Sequence, residues 1–239
     1  LSLSGGHRHA TSTRANLEVV FMPSERSSLT RRGVLAGLGA APLVPGLARA
    51  EDAMITKAIP ATGERIPAIG MGTWITFNVG EDEALRRDRL AILETCFDRG
   101  GGLIDSSPMY GSSQAVVGWC LAHLGDTGGL LAADKIWTRF GDGAEQLAAT
   151  RRRWGVERFD VVQVHNLLNW REHLAMLRRA KDEGRVRYIG VTTSHGRRHD
   201  ELERIMRDEP LDFVQLTYNV VDRAARSEEH TSELQSLSH

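Results

Sequence analysis

The stretch IGMGTWITF, residues 69–77, closes an apolar run on two glycines and then places Thr73, Trp74 and Ile75 where a third glycine would have to stand. An open, doubly wound sheet that binds a dinucleotide carries Gly-x-Gly-x-x-Gly after its first strand, with an acid about 20 residues further on. That signature fails here. Downstream, residues 81–99 read as a helix with Leu90, Leu93 and Phe97 on one stripe and Gly100-Gly101-Gly102 as its stop. Apolar runs then recur at LID (103–105), LLAADKIW (130–137), FDVVQVHN (159–166), VRYIGVTT (186–193) and DFVQLTYN (212–219). Amphipathic stretches at 113–124, 142–154, 170–183 and 199–207 separate them, with Gly184 capping the third. Upstream, MITKAI and ERIPAI flank Pro60-Ala61-Thr62-Gly63 and predict a hairpin over 54–69. Runs such as VVQV at 161–164 lack polar alternation and predict strands buried on both faces, as in a parallel sheet wrapped by helices. With the open sheet disfavoured, the expected fold is α/β: a (β/α)8 TIM barrel, incomplete, with about six strand–helix units and an N-terminal β-hairpin.

The 239 residues are 41% hydrophobic and 26% charged, with a formal net charge of -1, so the chain can bury a core and shows no bias toward a nucleic acid. Cys96 and Cys120 fall inside amphipathic patterns rather than in a CxxC pair, and are expected to be two buried free thiols with no zinc site. The ends read differently from the middle. Residues 31–50 carry Arg31-Arg32, then about 15 mostly apolar residues, then Ala48-Arg49-Ala50, a small-x-small cleavage pattern. This segment resembles a twin-arginine export signal beginning at Met22, which implies the twin-arginine machinery as a partner and a periplasmic or exported bacterial location. Residues 1–21 then read as upstream, non-native translation. From Arg226 onward, RSEEHTSELQS has no apolar period and resembles one reading frame of a sequencing adapter, so 51–225 is the expected barrel and 226–239 an artefact. A barrel stopping at its sixth strand would leave two unpaired sheet edges, on its first and sixth strands.

Barrel enzymes carry their chemistry at the carboxyl ends of the strands. Asp105 ends the second run, Tyr110 stands in the loop beyond it, Lys135 lies near the end of the third and His165 near the end of the fourth. Singly, each has a bland reading: a turn or cap for Asp105, packing for Tyr110, solvated surface for Lys135 and a satisfied core histidine for His165. Jointly they make a proton-transfer set. A phenol with an ordinary pKa of about 10 is a poor donor at neutral pH, and a nearby ammonium makes it a better one. Asp105 would hold that ammonium, and His165 would donate to a carbonyl oxygen.

GMGTW (70–74), IDSSPMYGSS (104–113), DKIW (134–137), VVQVHN (161–166), RVRYIGVTT (185–193) and LDFVQLTYN (211–219) together resemble the aldo-keto reductases over about Ile55 to Asp222. The resemblance implies reduction of a small-molecule aldehyde or ketone by NADPH, with NADH as the alternative cofactor. It makes Asp105, Tyr110, Lys135 and His165 a catalytic tetrad. It also places Thr73, Asn166, Thr192 and Gln215 at the cofactor, and Trp74 and Trp137 as walls of the substrate pocket. Two departures stand out: Thr192-Thr193 where many members have Ser-Asn, and Gln114 where a Glu is frequent, the latter with no catalytic consequence legible in the sequence. His195 and His199 lack a metal-site context, and Arg151-Arg152-Arg153 reads as the solvated end of a helix. The alternatives are a non-catalytic nucleotide-binding sensor on the same fold, or an isomerase or sugar dehydrogenase.

Overall fold

The computed structural model describes residues 18–20, 54–194, 196–223 and 225. The twin-arginine segment, the tail from Arg226 and His195 therefore lie outside the described residues. In chain order the elements are β1 (Glu18–Val20), β2 (Thr56–Ala58), β3 (Arg65–Pro67), β4 (Met71–Gly72), α1 (Glu83–Asp98), β5 (Leu103–Asp105), α2 (Ser113–His123) and β6 (Leu131–Ile136). There follow α3 (Gly143–Trp154), β7 (Phe159–Val164), a single 3-10 turn (His165–Leu167), α4 (Trp170–Asp182), β8 (Val186–Thr192), α5 (His199–Asp208) and β9 (Phe213–Thr217).

Local chemistry explains the boundaries. The Asp82 carboxylate accepts the Leu85 N–H at 3.0 Å and starts α1. Gly155 and Gly184, with φ of 69° and 72°, adopt the left-handed conformation that closes α3 and α4. β2 and β3 form the expected antiparallel hairpin.

From β4 to β9 every strand pairs parallel to its predecessor, in the order 4-5-6-7-8-9. A doubly wound sheet would reverse direction at a switch point, and none occurs among the described strands. The curled sheet divides two cores. On its outer face Ile104, Ile136, Val162, Val164 and Val191 meet helix residues Leu93, Val117, Leu147, Leu174 and Leu202. On the inner face Leu103, Leu131, Ala133, Val161, Tyr188 and Phe213 receive Ile59 and Ile66 of the hairpin, which plugs the amino-terminal end.

Strand alternation then sorts the polar residues. Asp105 follows Leu103 by two and Lys135 follows Ala133 by two, so both point inward. Asp134 points to the helices.

Several expectations are corrected. The fourth run ends at Val164, not at residue 166: Asn166 turns left-handed, φ 53°, and its N–H leaves the ladder for Thr192 Oγ1 at 3.0 Å. Cys120 is buried, but Cys96 is only half-buried because it lies beside the α1 stripe. Arg153 is not merely solvated, since it reaches inward to Gln114 Oε1 at 3.1 Å. The sixth-strand edge is not bare: β1 runs antiparallel along β9, Glu18 opposite Thr217 and Val20 opposite Gln215.

Candidate active site

Each expected tetrad residue reaches the same rim by a different element. β5 and β6 pair Asp105 with Ala133, which sets the Lys135 side chain one pleat above the Asp105 carboxylate. Lys135 is 1% exposed, and its Nζ donates to Asp105 Oδ2 at 2.5 Å and to the Ser106 carbonyl at 3.0 Å. An ammonium so enclosed requires an opposite charge, and Asp105 supplies it. The buried Tyr110 ring has its centroid 5.2 Å from Lys135 Nζ. The His165 ring meets it edge-on, 5.6 Å between centroids at 88°.

The loop carrying Tyr110 is built tightly. Tyr110 donates its N–H to the Ser107 carbonyl, and Gly111 follows at φ 60°. A Cβ on Gly111 would stand 2.5 Å from the Asn78 side-chain oxygen, which itself accepts from the N–H and hydroxyl of Ser112. Glycine is thus required by both conformation and contact.

Ser107 is the residue that sequence reasoning missed. Its hydroxyl lies 2.6 Å from His165 Nδ1 and accepts the Met109 N–H at 3.2 Å. The only legible signal was its polarity in a loop after an apolar strand, which does not name a partner 58 positions away. Burial, and then the Lys135 charge, push His165 down to about 3, so the imidazole is neutral at physiological pH. If Ser107 donates to Nδ1, the proton of that neutral ring resides on Nε2.

The expected cofactor contacts gather at the adjoining strand ends. Asn166 is held by Ser194, which donates to its Oδ1 at 2.9 Å. Thr192 Oγ1 is engaged with the Asn166 backbone, and Gln215 Nε2 approaches Asp105 Oδ2 at 3.5 Å. Thr73 differs: its hydroxyl donates to Ser106 Oγ at 2.8 Å and is wholly buried, so it braces the Asp105 loop. The buried Thr193 Oγ1 has no hydrogen-bond partner among the described residues. Two carboxamides and a neutral imidazole at one rim fit a ligand bearing an amide, as nicotinamide does. Trp74 stands 6.5 Å from Tyr110, ring to ring, while Trp137 follows β6 at the same rim, and their exposures of 44% and 40% suit pocket walls.

The family model described as Aldo/keto reductase family matches residues 68–235, more than half of the chain. The chain belongs to this family. It is 30% identical to the methylglyoxal reductase YeaE of Escherichia coli K12 over 145 residues, covering 58% of this chain and 50% of that protein. An NADH-specific methylglyoxal reductase of the same organism is 26% identical over 211 residues, covering 72% of this chain and 62% of the relative. The chain thus spans half to three-fifths of these curated relatives. Among solved structures, a thermostable aldo-keto reductase bound to the inhibitor epalrestat superposes with TM-score 0.63 at 26% identity, over 77% of this chain and 69% of that one. A Klebsiella pneumoniae aldo-keto reductase bound to NADPH shares the fold with TM-score 0.51 at 24% identity, covering 66% and 55%.

Proposed function

We propose that the complete protein reduces an aldehyde or ketone to an alcohol with NADPH or NADH, Tyr110 being the proton donor. The observation that carries this reading is the buried Lys135 ammonium, fixed by Asp105 and set 5.2 Å from the centre of the Tyr110 ring. A bound reduced nicotinamide supplies the hydride.

The chain's own residues do the rest. His165, neutral and oriented by Ser107, presents Nε2–H to the substrate carbonyl oxygen and draws it toward the phenol. As negative charge develops on that oxygen, Tyr110 releases its proton to it, and Lys135 stabilises the phenolate left behind. Asp105 keeps Lys135 charged and immobile. Asn166 and Gln215 would hold the nicotinamide carboxamide. Trp74 and Trp137 keep water from the reacting oxygen.

Both curated relatives are named methylglyoxal reductases, so a 2-oxoaldehyde is the first substrate class to try, and NADH belongs beside NADPH because one of them is named NADH-specific. The test is cofactor absorbance in the full-length protein with small aldehydes. Tyr110→Phe should lower kcat by about a hundredfold or more. Full turnover in that variant would sink the reading, and cofactor binding without turnover in the unaltered protein would favour a sensing role. Export by the twin-arginine route is a further part of the proposal, supported by Arg31-Arg32 and the cleavage pattern at Ala48–Ala50.

A further inference from the structure

Behind the rim, on the helix side of the sheet, lies a buried acid that the proposed reaction does not use. Asp134 is 1% exposed and immediately precedes Lys135. Its Oδ1 accepts the Lys135 backbone N–H at 2.6 Å, and both its oxygens accept from Gln114 Nε2 of α2, at 3.0 and 3.1 Å. The same amide nitrogen lies 3.2 Å from the Thr150 hydroxyl of α3. Gln114 Oε1 accepts from Arg153, also of α3, so the orientation of the amide is set from both ends. Gly118 makes this crossing possible, since a Cβ there would stand 1.7 Å from the Arg153 carbonyl.

These contacts give Gln114 a purpose that its place in the sequence did not reveal. A glutamate would set two carboxylates face to face in a dry site, where both cannot be ionised. An amide instead satisfies the carboxylate on one side and Arg153 on the other. The charges that bear on Asp134 are Lys135 on its own strand and Asp105 on β5, with Arg153 of α3 acting through Gln114. We infer that the Asp134–Gln114 pair is a positioning element for Lys135, holding the end of β6 to α2 and α3, and that the charge on Asp134 tunes how strongly Lys135 acts on Tyr110. This rests on the reductase reading for its meaning, but not for its test.

Burial raises Asp134 to about 7, so its charge changes near neutral pH. The sign follows directly. A carboxyl raised from 3.8 to about 7 on folding binds more protons in the native state, so its contribution to stability is full below 3.8 and is lost as pH rises through about 7. Asp134→Asn removes that loss. The thermal midpoint of the variant, relative to the unaltered protein, should therefore rise between pH 4 and about 8.

The decisive readout is the ionisation of Tyr110, followed as tyrosinate absorbance by difference against Tyr110→Phe in the full-length protein. Removing a negative charge beside Lys135 should shift that ionisation to lower pH by about half a unit or more, and the alkaline limb of kcat should move with it. Gln114→Glu should lower both the thermal midpoint and kcat. The exchanged pair Gln114→Glu with Asp134→Asn should restore both, kcat to within about threefold, because acid and amide again face each other. An unmoved Tyr110 ionisation in Asp134→Asn overturns the tuning, and failure of the exchange to restore the midpoint overturns the positioning. If the unaltered protein shows no turnover at all, the reductase reading falls, while the tyrosinate titration and the exchange still decide the inference.

Discussion

Lys135 concentrates the consequences at the residue scale, because it is the most deeply buried cation of the site and has its counter-ion on a neighbouring strand. Lys135→Met keeps the volume but leaves Asp105 without its ion-pair partner at a partly buried rim. It should cost about 3 kcal/mol or more of stability and reduce kcat about a hundredfold or more, which urea unfolding and steady-state rates will check separately. Lys135→Arg is not a conservative rescue, since a planar fork does not fit a site built for one ammonium between Asp105 and the Ser106 carbonyl. His165 makes an opposite kind of prediction. Its folded value near 3 lies below the 6.5 of the free side chain, so the unfolded chain binds more protons between these limits. The stability it allows is present above pH 6.5 and is lost as pH falls toward 3. His165→Gln should flatten the fall of the thermal midpoint over that window; an unchanged slope would mean that the ring is not buried as described. Ser107→Ala should lower kcat about tenfold with little change in binding, because it removes the group that orients the ring.

Among the elements, the α2–α3 crossing carries the tightest constraint. Gly118→Ala places a methyl group against the Arg153 carbonyl and has to push the helices apart, taking Gln114 away from Asp134. The expected cost is about 2–3 kcal/mol, read by denaturant midpoint. The sequence predicts these helices from their periodicity alone, and their observed limits lie close to those expected. The strand ending at 164 shows where periodicity is insufficient. His165 and Asn166 continue an apolar run in sequence, yet β8 offers Thr192 Oγ1 to the Asn166 N–H, and that contact bends the chain out of the ladder. A side chain 26 positions away decides the boundary, which local propensity has no means to express.

On the scale of the whole molecule, the hairpin closes the barrel floor as the rim closes around the chemistry. Ile66 is 4% exposed within the inner core, and Glu64 accepts from Arg187 and Tyr188 of β8, binding the plug to the sheet. Ile66→Ala should destabilise by about 2–4 kcal/mol while leaving the Lys135–Asp105 geometry intact, so thermal midpoint and kcat should separate. A fold exported complete would carry its nicotinamide bound. Protein recovered from outside the cytoplasm should therefore contain nucleotide, and substituting Lys for Arg31 and Arg32 should keep it inside; export unaffected by that change would remove the twin-arginine reading. The amino-acid sequence by itself determined the alternation of strands and helices, the missing third glycine that disfavoured the open sheet, and the acid, phenol, lysine and imidazole standing at or near strand ends. Each of those features is written in local periodicity or in its own position beside a strand end. Only the tertiary structure decided that Ser107 orients His165, that Thr73 braces a loop, and that Gln114 answers Asp134 behind Lys135. Each of these depends on strand register and helix crossing, which bring together residues 20 to 58 positions apart and have no signature in local sequence.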